Sequence, residues 1–339
     1  MSRSKIHYVL VVILAVALLF AGCAEQKQKV EETPKATETP KAETAPKAEV
    51  IHIKIGTGSP GGVYYPLGGA MAELCTKKLA DKGIEVTAVS TAASVENCRL
   101  VGRGEVQFGM AMGDIAYQAY MGEGKFKEKL PILAAFSMYP APEHIITTDP
   151  NIKTIYDLAG KKVSVGAPGS GNAAMAELIL KTAGIWDKIE KYYYSQPQAA
   201  QALKDGNVDV VFWNFAYPAS AVQEVAAVRD VYFVQIPDKI VNEIVSKYPY
   251  YKPGVIPAGT YKNQNVDVKT IQVGNDMIVN KDVPEEVVYN IVKTIFENAE
   301  ELHDVHPVAK QLTPENAIKT AIPLHPGAEK YFREVGVLK

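Results

Sequence analysis

The chain has 339 residues, 47% of them hydrophobic and 22% charged, with a formal net charge of −2; it is ordinary globular material, long enough for two medium domains. With 36 basic against 38 acidic side chains, no basic surplus points to nucleic acid. Three cysteines without metal-ligand spacing set aside a metal site, and nothing in the composition calls for a cofactor.

At the start of the chain Arg3 and Lys5 precede an uncharged apolar run from Tyr8 to Ala21, and Gly22-Cys23 follows. Such a run is short for a stable span and suits the core of a signal peptide. Residues 1–22 are therefore expected to be a lipoprotein signal peptide and Cys23 the lipidated first residue of the mature chain. Removing that segment leaves 34 basic against 38 acidic residues. From Ala24 to Val50 there is no aromatic residue, and Pro34, Pro40 and Pro46 recur among Lys, Glu, Thr and Ala. That composition cannot bury a core. Residues 23–50 read as a disordered linker, reaching on the order of 80 Å if extended at roughly 3.1 Å per residue. The body is thus expected outside the cytoplasm, anchored to the cell membrane.

The body opens on the alternating run Ile51/Ile53/Ile55, a strand that stops at Gly56-Thr57-Gly58-Ser59-Pro60-Gly61-Gly62. Helical periodicity resumes by Ala70-Met71-Ala72-Glu73-Leu74, so residues 57–69 read as a small-residue loop feeding a helix. A loop of that kind lets backbone N–H groups approach a ligand, and the helix start behind it favours negative charge. Glu85 to Val89 is the second strand. Ser94 is the expected N-cap of the helix that follows, with Glu96 in its first turn and Asn97 placed to aim its amide at a ligand or at solvent. Glu105 to Ala111 is the third strand, and Gly113-Asp114 opens another helix, with Asp114 as a cap. Each strand end feeding a helix adds to the edge where open α/β sheets bind ligands.

Leu130 to Phe136 and His144 to Thr148 read as two further strands, after which the opening logic repeats. Lys162 to Val165 runs into Gly166-Ala167-Pro168-Gly169-Ser170-Gly171-Asn172, and a helix follows from Ala173. This second loop lacks the endings of a P-loop or a dinucleotide fingerprint. Val208 to Trp213 is another strand, with Trp213 to stack on an apolar stem and Asn214 to bond a polar head. Tyr192–Tyr194 and Tyr248–Tyr251 read as packing of the second lobe. Thr270 to Val273 and Met277 to Val279 form a returning strand or pair. Pro284 to His303 is a long helix, and His303, His306 and His325 read as helix-end or loop residues. The mature chain has only Arg99, Arg103, Arg229 and Arg333, none of them in a strand-to-helix loop. Anion capture then falls to backbone N–H groups, hydroxyls and dipoles. Cys75 and Cys98 are expected as buried thiols.

The motifs Gly56-Thr57-Gly58-Ser59-Pro60-Gly61-Gly62-Val63-Tyr64-Tyr65-Pro66, Ser94-Val95-Glu96-Asn97, Asp114-Ile115-Ala116-Tyr117, Val165-Gly166-Ala167-Pro168-Gly169-Ser170-Gly171, Tyr217-Pro218 with Ala221-Val222-Gln223-Glu224, Ile256-Pro257-Ala258-Gly259-Thr260-Tyr261 and Pro323-Leu324-His325-Pro326-Gly327 stand in that order. Over residues 51–335 the chain resembles the TAXI-type solute receptors of TRAP transporters. The resemblance implies a type II periplasmic-binding-protein fold, with two α/β lobes, a hinge and an interlobe ligand cleft. The implied parts are 51–142 and 272–339 for lobe I and 143–271 for lobe II. It also implies a monomeric, non-enzymatic receptor that passes a small organic anion, a glutamate-like amino acid or a dicarboxylate, to a TRAP permease driven by Na⁺ or H⁺. Carried over by position, the site comprises Gly58, Ser59, Gly62, Val63 and Tyr64; Ser90, Ser94 and Asn97; Pro168, Gly169, Ser170 and Gly171; and Trp213 and Asn214. Asp114 joins these, with Met112 marking a departure: Met112-Gly113 stands where the family pattern has Gln-Ser. Two other readings stay open, the receptor of an ABC importer and an extracytoplasmic enzyme on the same fold.

Overall fold

The computed structural model describes residues 50–339. The expected signal peptide, the lipidation at Cys23 and the linker as far as residue 49 lie outside the described residues.

Ten strands form one twisted sheet in the order β2-β1-β3-β10-β4-β7-β5-β6, with β8 on β4 and β9 on β10. In lobe I, β1 (Ile51–Gly56), β2 (Ile84–Val89) and β3 (Phe108–Met112) run parallel and alternate with α1 (Tyr64–Lys78), α2 (Ser94–Gly102) and α3 (Gly113–Met121). In lobe II, β5 (Lys162–Ser164), β6 (Glu190–Tyr192) and β7 (Val210–Asn214) do the same with α4 (Gly171–Thr182) and α5 (Gln196–Lys204). Parallel strands joined through helices are buried on both faces where they lie central in the sheet, which is why β3 and β7 are continuous apolar runs while the outer β1, β2 and β6 alternate or carry charge. The remaining helices are α6 (Ser220–Ala226), α7 (Asp238–Lys247), α8 (Glu285–Glu297), α9 (Pro314–Ala317) and α10 (Pro326–Glu334). Among the described residues no helix is long and apolar enough to cross a membrane.

Two long strands join the lobes. The two strands read from sequence at 130–136 and 144–148 are one β4 (Ile132–Thr147), and the returning strand or pair is one β10 (Val268–Asn280); Ile132 to Pro142 pairs antiparallel with Gln272 to Asn280. Their outer halves serve different lobes, β10 pairing with β3 at one end and with β9 (Tyr251–Ile256) at the other. The register slips between Asn275 and Asp276 and between Met277 and Ile278. Bulges of this kind bend a strand without ending it. Pro140 and Pro142 lie in the same crossing segment and split the sequence signal in two.

Three apolar clusters fill the molecule. One packs α1, α8 and α10 against the lobe I sheet, a second runs beneath α2, α3, α4 and α7, and a third lies under α5 and α6. Cys75 and Cys98 are free, buried thiols in different clusters, and burial pushes the Cys75 thiol up to about 12.

Several local expectations change. Helix α1 begins at Tyr64, so Gly68 and Gly69 are helical rather than part of the loop. At Gly68 a Cβ would stand 2.5 Å from the Thr57 side chain, and only glycine lets the helix pack that closely on the first loop. The predicted helix to His303 ends at Glu297 and continues as a 3-10 turn from Ala299 to Leu302. His325 is a buried cap whose Nδ1 accepts the Gly327 N–H at 3.1 Å, not a loose loop residue.

Candidate functional site

A cavity of about 300 Å³ lies between the lobes, on the edge where β1, β3, β5 and β7 end. Helices start at its wall from both sides: α1 and α2 from lobe I, α4 and α5 from lobe II. The first-turn N–H groups of a helix have no acceptor within it, so these starts bring a set of donors and positive dipole ends to one cavity. No Arg, Lys, His, Asp or Glu is among its lining residues.

Of the residues expected at the site, Gly58, Ser59, Gly62, Val63, Tyr64, Ser94, Met112, Ser170, Gly171, Trp213 and Asn214 line this cavity. Trp213 is buried with its ring 5.6 Å from that of Phe215, which also lines the cleft. Ser170 is the expected kind of loop residue and caps α4, its Oγ accepting the Ala173 N–H at 3.0 Å.

Five expected residues are elsewhere. Asn97 is fully buried behind the wall; its Nδ2 donates to the carbonyls of Gly56, Thr57 and Met110 at 3.1, 2.7 and 2.7 Å, and its Oδ1 accepts from Thr91 Oγ1. Fully buried and bonded at both its nitrogen and its oxygen, that amide ties the ends of β1 and β3 together and does not reach the cavity. Ser90 turns its hydroxyl to the Gly58 carbonyl. Asp114 is buried beneath the cleft, accepting from the Tyr251 hydroxyl at 2.5 Å. Pro168 is exposed, and Gly169 sits where the lobes touch: its carbonyl accepts the Glu96 N–H at 3.1 Å.

Ser94 lines the cavity but is not a cap. It is the first helical residue of α2, after Ala93 at φ +73°, and its Oγ accepts the Met112 N–H at 3.1 Å. A positive φ is strained for alanine, at about 1–3 kcal/mol. It is held by Thr91 Oγ1, which accepts the Ala93 N–H at 3.0 Å, and by the Asn97 N–H on the Ala93 carbonyl.

The lining also includes residues not among those expected at the site: Thr91, Ala92, Ala93, Tyr139, Gly166, Ala167, Asn172, Tyr194, Ser195, Gln196, Phe215 and Asn275. Asn172 holds the ends of β5 and β7, donating to the Val165 and Phe212 carbonyls at 3.2 and 2.7 Å and accepting the Asn214 N–H. It stands in the Gly-rich loop motif, and the recurrence of that motif was the signal available for it. Asn275 belongs to β10, whose strand pattern gives no sign of a cleft residue; its amide accepts from the Tyr64 hydroxyl. Burial pushes the Tyr64 hydroxyl well up, with Tyr139, Asp276 and Asp114 adding to it, so it stays a neutral donor.

The lobes are closed on each other. Ser59 Oγ donates to Gln196 Oε1 at 2.6 Å across the cleft mouth, and a Cβ on Gly62 would lie 2.6 Å from the same oxygen. At Gly171 a Cβ would lie 2.6 Å from Met112 Sδ and 2.7 Å from Ser94 Oγ, both in lobe I. Glycine at these two positions lets the facing lobes meet.

A second cavity of about 500 Å³ opens beside the hinge, lined in part by Ser137, Lys252, Asp276 and Lys319. Asp276 is buried there with Oδ2 accepting the Ala321 N–H at 3.0 Å, and burial pushes it up to about 6. No pair of lobes faces it with helix starts. Among the described residues no group of three metal-ligating side chains comes together.

A family profile described as the NMT1-like family matches residues 55–336. Among solved structures the chain is similar to the periplasmic aliphatic sulphonate binding protein SsuA from Escherichia coli, at 15% identity over 85% of this chain and 80% of that one, with a TM-score of 0.46. It is also similar to the amino acid ABC transporter substrate-binding protein AbpA from Streptococcus pneumoniae bound to L-arginine, at 15% identity over 76% and 94% with a TM-score of 0.44. A third is a binding protein component of an ABC phosphonate transporter from Pseudomonas aeruginosa, at 11% identity over 77% and 79% with a TM-score of 0.47. The two α/β lobes on two shared strands are the type II periplasmic-binding-protein fold.

Proposed function

We propose that this chain, which belongs to the NMT1-like family, is an extracytoplasmic solute-binding receptor that closes its lobes on one small organic anion and presents the closed form to a membrane importer. The observation that carries this reading is the convergence of the α1, α2, α4 and α5 starts on one cavity with no charged side chain. An anion there meets amide and hydroxyl donors from both lobes, and neither lobe holds the full set alone. Ligand therefore favours closure, because only the closed form completes its coordination. The aromatic side, Trp213 and Phe215, suits an apolar stem attached to the anionic head. With Met112 in the wall in place of a polar side chain, a glutamate-like amino acid or a dicarboxylate with a partly apolar body is the ligand class proposed.

The same proposal keeps the signal peptide at 1–22, the lipid anchor at Cys23, the linker to 50 and lobe boundaries at 142/143 and 271/272. The importer has two readings. A TRAP permease rests on the motif resemblance alone, and the family description names no transporter class. An ABC importer is carried beside it, and the phosphonate and amino acid binding proteins similar to this chain, both components of ABC transporters, favour it of the two. Uptake driven by ATP or by an ion gradient separates them. An enzyme reading has no support in the cleft, whose lining offers no histidine or carboxylate to activate a nucleophile.

Thermal unfolding of the full chain in the presence of amino acids, dicarboxylates, 2-oxo acids and alkyl sulfonates tests the reading. At least one anion is expected to raise the melting temperature by several degrees through mass action. Stabilisation by neutral sugars or polyamines alone would overturn it.

A further inference from the structure

Behind the lobe II wall of the cleft, Glu143 on β4 stands directly opposite Asn214 on β7. Facing residues of an antiparallel pair put their side chains on one sheet face, with Cβ atoms about 5 Å apart. Tyr251 shares that face, being opposite Val273, which is opposite Ala141, two residues before Glu143. From Tyr251 the line continues to Asp114 in lobe I. A row of polar side chains thus runs from the cleft wall, past the hinge, to the start of α3.

The row is short of donors. Asn214 Nδ2 is committed to the Ala141 carbonyl at 3.0 Å, and the Tyr251 hydroxyl to Asp114. Thr270 gives its hydroxyl to the backbone carbonyl of Glu143, not to its carboxyl. Asn214 Oδ1, both carboxyl oxygens of Glu143 and Asp114 Oδ1 are enclosed without a partner. Turning the Asn214 amide over would only set its oxygen against the Ala141 carbonyl.

No positive charge compensates. The titratable groups acting on this row from the neighbouring elements are Asp114, Tyr250 and Tyr251, with Asp276, Tyr64, Tyr139 and Cys98 farther along. His144 follows Glu143 in β4; burial pushes it down to about 4, and both its ring nitrogens are engaged, with the Pro142 carbonyl and the Tyr261 hydroxyl. Among the described residues no Lys or Arg is buried. An ionised Glu143, fully enclosed, would add a second bare negative charge beside Asp114.

One proton removes both difficulties. We propose that Glu143 is held as the neutral acid at neutral pH and that its O–H donates to Asn214 Oδ1, making Glu143 a positioning residue that fixes the Asn214 side chain in the cleft wall. Asn214 Oδ1 and one carboxyl oxygen of Glu143 satisfy each other, and no second negative charge is added behind the cavity. Burial, the largest influence, pushes this carboxyl well above the usual range; Asp114 adds to it and the Asn214 amide opposes it. Because the folded-state value is raised, the stability tied to this proton is complete at low pH and is lost as pH rises through that value. The benefit to an anion rests on the proposed function, but the proton itself does not.

The test compares the full chain with Glu143→Gln, which supplies an N–H donor to the same oxygen without a proton to lose. Infrared spectra at pH 7 in H₂O and D₂O are expected to show a protonated-carboxyl C=O band in the wild type that is lost in the variant and kept in Asp114→Asn. The melting temperature of Glu143→Gln should fall less between pH 7 and 9 than that of the wild type. A band unchanged by Glu143→Gln, or parallel melting profiles, would overturn the proposal. Should the variant fail to fold, the wild-type band decides: its presence at pH 7 in Asp114→Asn supports the neutral acid, and its absence refutes it. None of these readouts needs a ligand, so they succeed or fail separately from the anion reading.

Discussion

Asn97 in lobe I and Asn172 in lobe II hold equivalent places, each near the start of a helix that follows a strand end, and each tying two parallel strands together. They differ in depth. Asn97 lies wholly behind the wall and spends its Nδ2 on three carbonyls, whereas Asn172 lines the cavity and receives the backbone N–H of Asn214. Lobe I is therefore braced from behind and presents mainly backbone and small side chains to the cleft. Lobe II builds its brace into the wall itself, next to Trp213 and Asn214. The comparison teaches that two similar loops can share an architecture while only one exposes its brace to a ligand.

The largest expected effect separates the two asparagines. Asn97→Ala takes a donor from the carbonyls of Gly56, Thr57 and Met110, of which Thr57 keeps the Thr91 hydroxyl, and at about 1–3 kcal/mol for an unsatisfied buried group, partly recovered by water and relaxation, the loss should be on the order of 3 kcal/mol. Asn172→Ala, nearer the cavity, should cost about half as much in urea unfolding while weakening ligand more. Equal losses of stability would erase the distinction between a hidden and an exposed brace. A smaller effect is expected at the seam between the lobes. Gly171→Ala puts a methyl against Met112 and Ser94 across the cleft, so each lobe should stay folded while closure suffers. Ligand affinity is expected to drop about tenfold, or roughly 1.4 kcal/mol, with a larger radius of gyration in X-ray scattering of the liganded protein. Unchanged affinity would mean that the seam does not close on the ligand as it does here.

Much of this was legible in the sequence because strand-to-helix loops are local events. The run from Ile51 to Gly62 and its echo from Lys162 to Asn172 announce themselves through alternation, glycine and small polar residues. The hinge was less legible, since Pro140, Pro142 and Gly274 interrupt β4 and β10 where they cross between lobes, and only pairing over long sequence separations joins the halves. Asn97 and Asp114 were drawn toward the site by their position at strand ends. Their side chains turn inward because buried carbonyls and the Tyr251 hydroxyl needed partners, which no local pattern reveals. Tyr194 reads from the sequence as lobe II packing and Gln196 carries no local signal, and closure of the other lobe is what makes them part of the wall.

If amides from both lobes hold one anion, a single titration sees them together. The full chain, labelled with ¹⁵N, is titrated with the anion that gives the largest thermal shift, and backbone amide resonances are followed. Val63 and Tyr64, Ser94 and Val95, and Gly171 and Asn172 should shift in parallel along one binding curve. Shifts confined to one lobe, or centred on Gly274 and Ala321 beside the hinge cavity, would contradict a shared interlobe site.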